Sequence, residues 1–174
     1  SVGPVGSAAG RGYAKHPILE IPAGRTTLGR RGTSEAFGWD NEFGELEIEV
    51  PEFTIDACNV TNGDFLRFLV ADGYENRSLW PANDWAWKEK AGVRHPVFWK
   101  REGNLWLYRA MFAEIRLPLD WPVYVSHAEA SAYAKWLGRK LPTEEQFHRA
   151  AYGTPEGNER SFPWGEAAPA EMHG

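Results

Sequence analysis

The stretch Leu141-Pro142-Thr143-Glu144-Glu145-Gln146-Phe147-His148-Arg149-Ala150-Ala151 carries the strongest local signal in the sequence. Proline is excluded from a helix interior but tolerated at its entrance. Thr143 follows it, and Gln146 three residues on completes the Thr-x-x-Gln pattern of a capping box. The spacing predicts a helix from Thr143 with Phe147, Ala150 and Ala151 on its buried face, ended by Gly153. A second helix reads upstream from Ser126, where Glu129 completes another box. Ala130, Tyr133, Ala134 and Leu137 give it an apolar stripe, and Gly138 closes it. A third, earlier helix is capped by Thr61 or Asn62 and carries Asp64 in its first turn. Phe65, Phe68 and Leu69 lie on one of its faces, and Gly73 is its stop.

Outside these helices the period changes from 3.6 to 2. Leu46, Ile48 and Val50 alternate with Glu45, Glu47 and Glu49, which is a strand with one wet face. Pro51 interrupts it, and Phe53 and Ile55 resume the alternation. Residues 17–22 read as a short strand that opens the ordered domain, and residues 104–109 as another. Between the first and second helices, residues 74–125 hold Trp80, Trp85, Trp87, Trp99, Trp106 and Trp121 among Pro81, Pro96, Pro118 and Pro122. Prolines so spaced exclude long helices, although Trp85 to Lys90 suits a short one.

Composition agrees. With 18 Gly and 12 Pro in 174 residues, much of the backbone belongs to turns. Nine tryptophans and a 14% aromatic share supply large side chains to fill a core where regular elements are few. The expectation is a loop-rich α+β domain over residues 16–174, preceded by a Gly/Ala/Ser-rich leader or linker over residues 1–15 that reads as disordered. Formal charge is −5 and no basic run exceeds a pair, so neither nucleic acid nor an anionic membrane is a favoured partner. No apolar run approaches 18 residues, and the N-terminal stretch lacks the pattern of a secretory signal. The single Cys58 forbids an internal disulfide and suits a reducing cytosol, giving a cytoplasmic expectation.

Chemistry-bearing constellations are sparse. Glu145 and His148, three apart, or Glu144 and His148, four apart, suit one metal. A metal site needs further ligands from other helices, and the plain reading is a solvated helical pair. His127 and Glu129 point to different faces. His95, before Pro96 and beside Phe98 and Trp99, reads as a half-buried, satisfied imidazole. No nucleophile elbow, dinucleotide fingerprint or phosphate loop is present. Cys58, inside the apolar run from Phe53 to Val60, reads as a small core residue; its position ahead of a helix alternatively favours a reactive thiolate. Trp39, Asp40, Asn41 and Glu42 form either a turn with side-chain-to-backbone bonds or the polar edge of an aromatic-walled substrate cleft.

Four motifs in order resemble the formylglycine-generating-enzyme (sulfatase-modifying factor) family. They are Val60-Thr61-Asn62-Gly63-Asp64-Phe65, the helix from Pro122 to Gly138, the Leu141 to Ala151 run and Phe162-Pro163-Trp164-Gly165. Phe147 and His148 stand where the family usually has Trp and Glu. Phe37-Gly38-Trp39-Asp40-Asn41-Glu42 is similar to a signature of the ergothioneine-pathway branch, iron(II) enzymes that join a thiol to an N-methylated histidine with dioxygen. The resemblance implies a sulfatase-modifying-factor or C-type-lectin-like fold, incomplete at the C-terminus. It places the family's thiol pair and the iron ligands, the latter in a helical DinB-like bundle, outside this chain. No catalytic residue, metal ligand or cofactor is therefore expected within the chain itself. Iron(II), the two small-molecule substrates and docking to the helical domain belong to the complete enzyme. A formylglycine-generating oxidase acting on sulfatase cysteines and a non-catalytic lectin-like binding module are the alternatives.

Overall fold

The computed structural model describes residues 17–29, 44–167 and 169–170. In chain order the elements are β1 (Ile18–Ile21), β2 (Gly24–Leu28), β3 (Leu46–Val50), β4 (Phe53–Asp56) and α1 (Asn62–Val70). A 3-10 turn (Arg77–Leu79) and α2 (Ala82–Ala91) follow. Then come β5 (Trp99–Glu102), β6 (Leu105–Arg109), β7 (Glu114–Arg116), α3 (His127–Trp136) and α4 (Glu144–Tyr152). Among the described residues the sheets are small and none closes into a barrel: β1 pairs with β4, β2 with β3, and β5-β6-β7 form a three-stranded sheet, all antiparallel. This is the expected α+β architecture, short elements joined by irregular chain. The described residues divide into two compact units, one from residues 58–141 and one from residues 17–57 with 142–170. No helix among the described residues is long and apolar enough to cross a membrane.

The unit from residues 58–141 is built on aromatic rings. At the N-terminus of α1 the Thr61 side chain accepts from the Asp64 amide, and the Asp64 carboxylate accepts from the Thr61 amide. That reciprocal box fixes where the helix begins, and so fixes Phe65 and Phe68 on its inner face. The Phe65 ring stacks on Tyr133 of α3 at 5.3 Å, and Phe68 meets the same ring edge-on at 5.8 Å. Trp99, at the start of β5, meets Phe65 at 6.3 Å. Each such pair adds about 1 kcal/mol beyond its burial. Tyr74, Leu79, Trp80, Leu117 and Ala132 complete this cluster. Trp80 and Trp99 are buried in this core and Trp85, Trp106 and Trp136 pack part-buried against it, whereas Trp87, Trp121 and Trp164 are exposed. The chain leaves α1 through Asp72, which adopts φ 57 and takes the left-handed position that Gly73 was expected to provide. Aspartate is one of the few residues that accept it.

Three expectations need correction. α3 was expected to bury Ala130, Tyr133, Ala134 and Leu137, but it buries Glu129, Ala132, Tyr133 and Ala134, and Leu137 is 41% exposed. The face is rotated because the Glu129 carboxylate is drawn inward by a phenol. α4 was expected to bury Phe147, which is 57% exposed, whereas Arg149 is buried. There the burial follows hydrogen bonds that only a long cationic donor can make. Cys58, read as core, is exposed. It lies in the irregular connection between β4 and α1.

In the other unit β1 and β4 run in register from Ile18 opposite Asp56 to Ile21 opposite Phe53, and β2 with β3 from Gly24 opposite Val50 to Leu28 opposite Leu46. α4 begins at the Thr143–Gln146 box.

Candidate functional site

Trp39, Asp40, Asn41 and Glu42, the candidate cleft residues, lie outside the described residues. The other candidates are resolved and do not converge. Glu145 accepts a hydrogen bond from the Thr143 hydroxyl, which chiefly holds its carboxyl below the ordinary range; the acid is spent on the helix start. The His148 ring lies 5.6 Å from that of Tyr152, tilted by 32°. The His95 ring lies 5.5 Å from Trp106 with Nδ1 3.1 Å from the Pro96 carbonyl, the satisfied half-buried imidazole that was expected. Among the described residues no group of three or more His, Cys, Asp or Glu side chains is placed to hold a metal ion. The described residues thus offer no donor set that fits iron.

What the family-like motifs build is a frame. Asn62, wholly buried at the start of α1, donates from Nδ2 to the Pro118 carbonyl at 2.8 Å and accepts from the Trp99 indole at 3.2 Å. Its backbone amide and that of Gly63 donate to the Trp121 and Leu119 carbonyls, both at 2.8 Å. One short side chain and two helix-terminal amides thereby tie residues 118–121 to a helix end whose first N–H groups have no partner within the helix.

Glu129 repeats this logic in α3. One carboxylate oxygen accepts from the Ser126 amide and hydroxyl at 2.8 Å each, and the other accepts from the Tyr74 phenol at 2.5 Å. Burial, the neighbouring Glu129 charge and the hydrogen bond to it together push the Tyr74 phenol far above its ordinary range. Tyr74 therefore stays a neutral donor, a strut rather than an acid catalyst.

A third arrangement surrounds the C-terminus of α4. The buried Arg149 guanidinium donates to the carbonyls of Pro22 (3.2 Å), Ala23 (3.4 Å) and Thr154 (3.1 Å), while its Nη1 finds no acceptor among the described residues. Its slot exists because two walls are glycine: a Cβ on Gly24 would stand 2.6 Å from Nη2, and one on Gly153 2.3 Å from Nη1. Arg160 donates to the carbonyls of Ala151, Tyr152 and Gly153. The two cations together offset the negative end of the helix. Glu159 accepts from the Thr27 amide (2.7 Å), the Thr27 hydroxyl (2.6 Å) and the Thr26 hydroxyl (3.2 Å). Partial burial raises its pKa, but the bonds from Thr27 and Thr26 and the nearby His148 outweigh this and hold it below the ordinary value. Sequence reasoning missed Arg149 and Glu159. Only the glycines flanking their partners hinted at a close approach.

One surface of the first unit is open and apolar. Phe98 lies 5.9 Å from both Tyr108 and Tyr124, and Tyr108 5.9 Å from Trp121. A shallow groove beside them is lined by Val97, Phe98, Tyr108, Arg109, Ala110 and Met111. Its one charged side chain, Arg109, donates to the Val97 carbonyl.

Frame, motifs and order of elements define a class, and comparison with known proteins agrees. The description of a sulfatase-modifying factor enzyme 1-like domain matches residues 9–173. The chain belongs to that family. It is 37% identical over 166 residues to the hercynine oxygenase of Mycolicibacterium smegmatis, covering 93% of this chain and 38% of that protein. It is 31% identical to the mouse inactive C-alpha-formylglycine-generating enzyme 2, covering 88% of this chain and 53% of the relative. With the mouse formylglycine-generating enzyme the identity is 27%, covering 89% and 44%. The chain thus spans well under two thirds of the length of these relatives.

Proposed function

We propose that this chain is the scaffold and substrate-cleft part of a nonheme iron(II), dioxygen-dependent sulfoxide synthase that joins a thiol to an N-methylated histidine. The observation that carries this reading is the 37% identity to a protein named hercynine oxygenase across 93% of the chain. The geometry is consistent with a supporting role. Asn62, Glu129, Arg149 and Glu159 each fix backbone, and none is poised with a neighbour for acid–base or nucleophilic work. In this reading the metal's ligands come from the helical domain of the complete enzyme. Bound iron would activate dioxygen, while this chain's residues hold one wall of the cleft, including the segment Trp39, Asp40, Asn41 and Glu42.

The test uses the full-length gene product supplied with iron(II). Oxygen uptake and sulfoxide formation from trimethylhistidine plus a cysteine-containing thiol are the expected result; iron binding without thiol-dependent oxygen uptake overturns the reaction. A formylglycine generator is the second reading, favoured by the named mouse relative at 27% identity. It requires conversion of a cysteine in a sulfatase peptide, measured on the same preparation. The similarity to an inactive paralogue keeps a third reading in view, a non-catalytic binding module, which predicts neither activity.

A further inference from the structure

One hydrogen bond in the aromatic core joins a phenol to a carboxylate away from solvent. Tyr74 and Glu129 are 2% and 4% exposed, and the phenol donates to Glu129 Oε1 at 2.5 Å, the short end of the range for a charge-assisted bond between oxygens. The Ser126 amide and hydroxyl hold the other carboxylate oxygen in place. Phenol and base are thus set for transfer of one proton over a short, fixed path. Loss of the proton alone is opposed by burial first and by the Glu129 charge second. Removal of an electron inverts that balance, because a phenol radical cation is a strong acid and its proton acceptor is already in contact.

The neighbours of Tyr74 supply a route for the electron. Trp80 lies 5.6 Å away. Phe68, at 5.8 Å, bridges to Trp136 at a further 5.8 Å. Phe65, at 6.4 Å, bridges to Trp99 at 6.3 Å, and Trp99 meets Trp106 at 5.6 Å. Trp106 and Trp136 are part-buried, so both routes reach the edge of the core. Charge gives the routes a direction. Lys88 Nζ stands 5.8 Å from the Trp80 ring centre and the Arg101 guanidinium 5.7 Å from that of Trp106. A cation beside an indole disfavours an indolyl radical cation as any like charge does. The Tyr74–Glu129 pair instead passes from one negative charge to none.

We propose that Tyr74 is a redox-active tyrosine, the place where one oxidising equivalent entering the aromatic core comes to rest as a neutral phenoxyl radical. The oxidant is of the peroxyl-radical class. It takes one electron from Trp136 or Trp106 and becomes a peroxide anion, and Tyr74 refills that indole. The Tyr74 O–H bond breaks as its proton crosses to Glu129 Oε1, where a new O–H bond leaves a neutral carboxylic acid. The surrounding rings then keep water and solutes from the radical.

The test uses the full-length protein and a photogenerated tris(bipyridyl)ruthenium(III) complex as the one-electron oxidant. Ascorbate added after the flash discharges radicals on exposed rings such as Tyr124. Phenoxyl absorbance and electron paramagnetic resonance of freeze-quenched samples are read. The expected result is a phenoxyl signal that outlasts ascorbate in the unsubstituted protein and is lost in Tyr74→Phe. In Glu129→Gln the signal is expected to form more slowly and at a rate that rises with buffer base, which a merely structural Glu129 would not produce. A signal kept at full yield by Y74F, a signal from indoles alone, or a rate unchanged in E129Q overturns the proposal. If either variant does not fold by circular dichroism, deuteron ENDOR of the radical in the unsubstituted protein decides. One exchangeable deuteron bonded to the phenoxyl oxygen is expected from the protonated Glu129, and an oxygen without one overturns the assignment. The photochemical oxidant needs no turnover, so a radical at Tyr74 in a protein without sulfoxide synthase activity removes only the reaction.

Discussion

Asn62 donates to the Pro118 carbonyl and accepts from the Trp99 indole, both inside the core of its unit. Replacing it by Leu would bury both partners unmatched, and an orphaned buried group costs about 1–3 kcal/mol. Asn62→Leu is therefore expected to destabilise by about 3 kcal/mol, read from the midpoint of urea unfolding with an unchanged slope. A loss below about 0.5 kcal/mol would show that water replaces these bonds. The importance of this position was half legible in the sequence: Asn62 was a candidate cap, but Thr61 caps α1 and Asn62 points inward. Arg149 was not legible at all. Helical spacing marks Phe147 as the buried residue because periodicity scores hydrophobicity, and it is blind to three carbonyls gathered by the chain around a guanidinium.

Helices announced themselves because their start signals are local. Three side-chain-to-backbone boxes, at Thr61, Ser126 and Thr143, lie within four residues each and need no knowledge of the fold. Strands fared less well. β3, β4 and β6 alternate or run apolar, but β2 is Gly-Arg-Thr-Thr-Leu and β7 is Glu-Ile-Arg. These form because a partner strand presents its open edge, a tertiary cause with no local trace. β2 is further held by Glu159, which yields a pH prediction. The folded carboxyl lies below its ordinary value of 4.5, so the stabilisation it provides is complete above that value and is lost as pH falls through the lowered folded value. Glu159→Gln is expected to flatten the acid limb of the stability curve below about pH 4.5 while changing little of its slope near neutrality. Parallel acid limbs for the two proteins would contradict this account.

At the scale of the molecule, the described residues divide into two compact units. Of the nine tryptophans, the seven at positions 80, 85, 87, 99, 106, 121 and 136 fall in one unit. Fluorescence therefore reports that unit, while amide exchange in β2 and β3 reports the other. The two probes are expected to give non-coincident denaturant transitions, and coincident ones would mean a single cooperative block. The segment read as a turn or a cleft edge lies outside the described residues, and the exposed tip at Met111 and Phe112 was not foreseen because only a completed turn reveals which side chains point outward. Within the tryptophan-rich unit, Lys88 of α2 is wholly buried. Its Nζ lies 4.3 Å from the Trp85 ring centre and 5.8 Å from that of Trp80, and donates to Glu89 at 2.7 Å. Dissolved ions weaken attraction by crowding between charges; they reach the exposed Glu89 carboxylate but not the face of the Lys88 ammonium that lies against the rings. What brine should scarcely loosen is the hold of the buried ammonium on the Trp80 ring outside the helix, while exposed pairs such as Lys100 with Glu114 go slack.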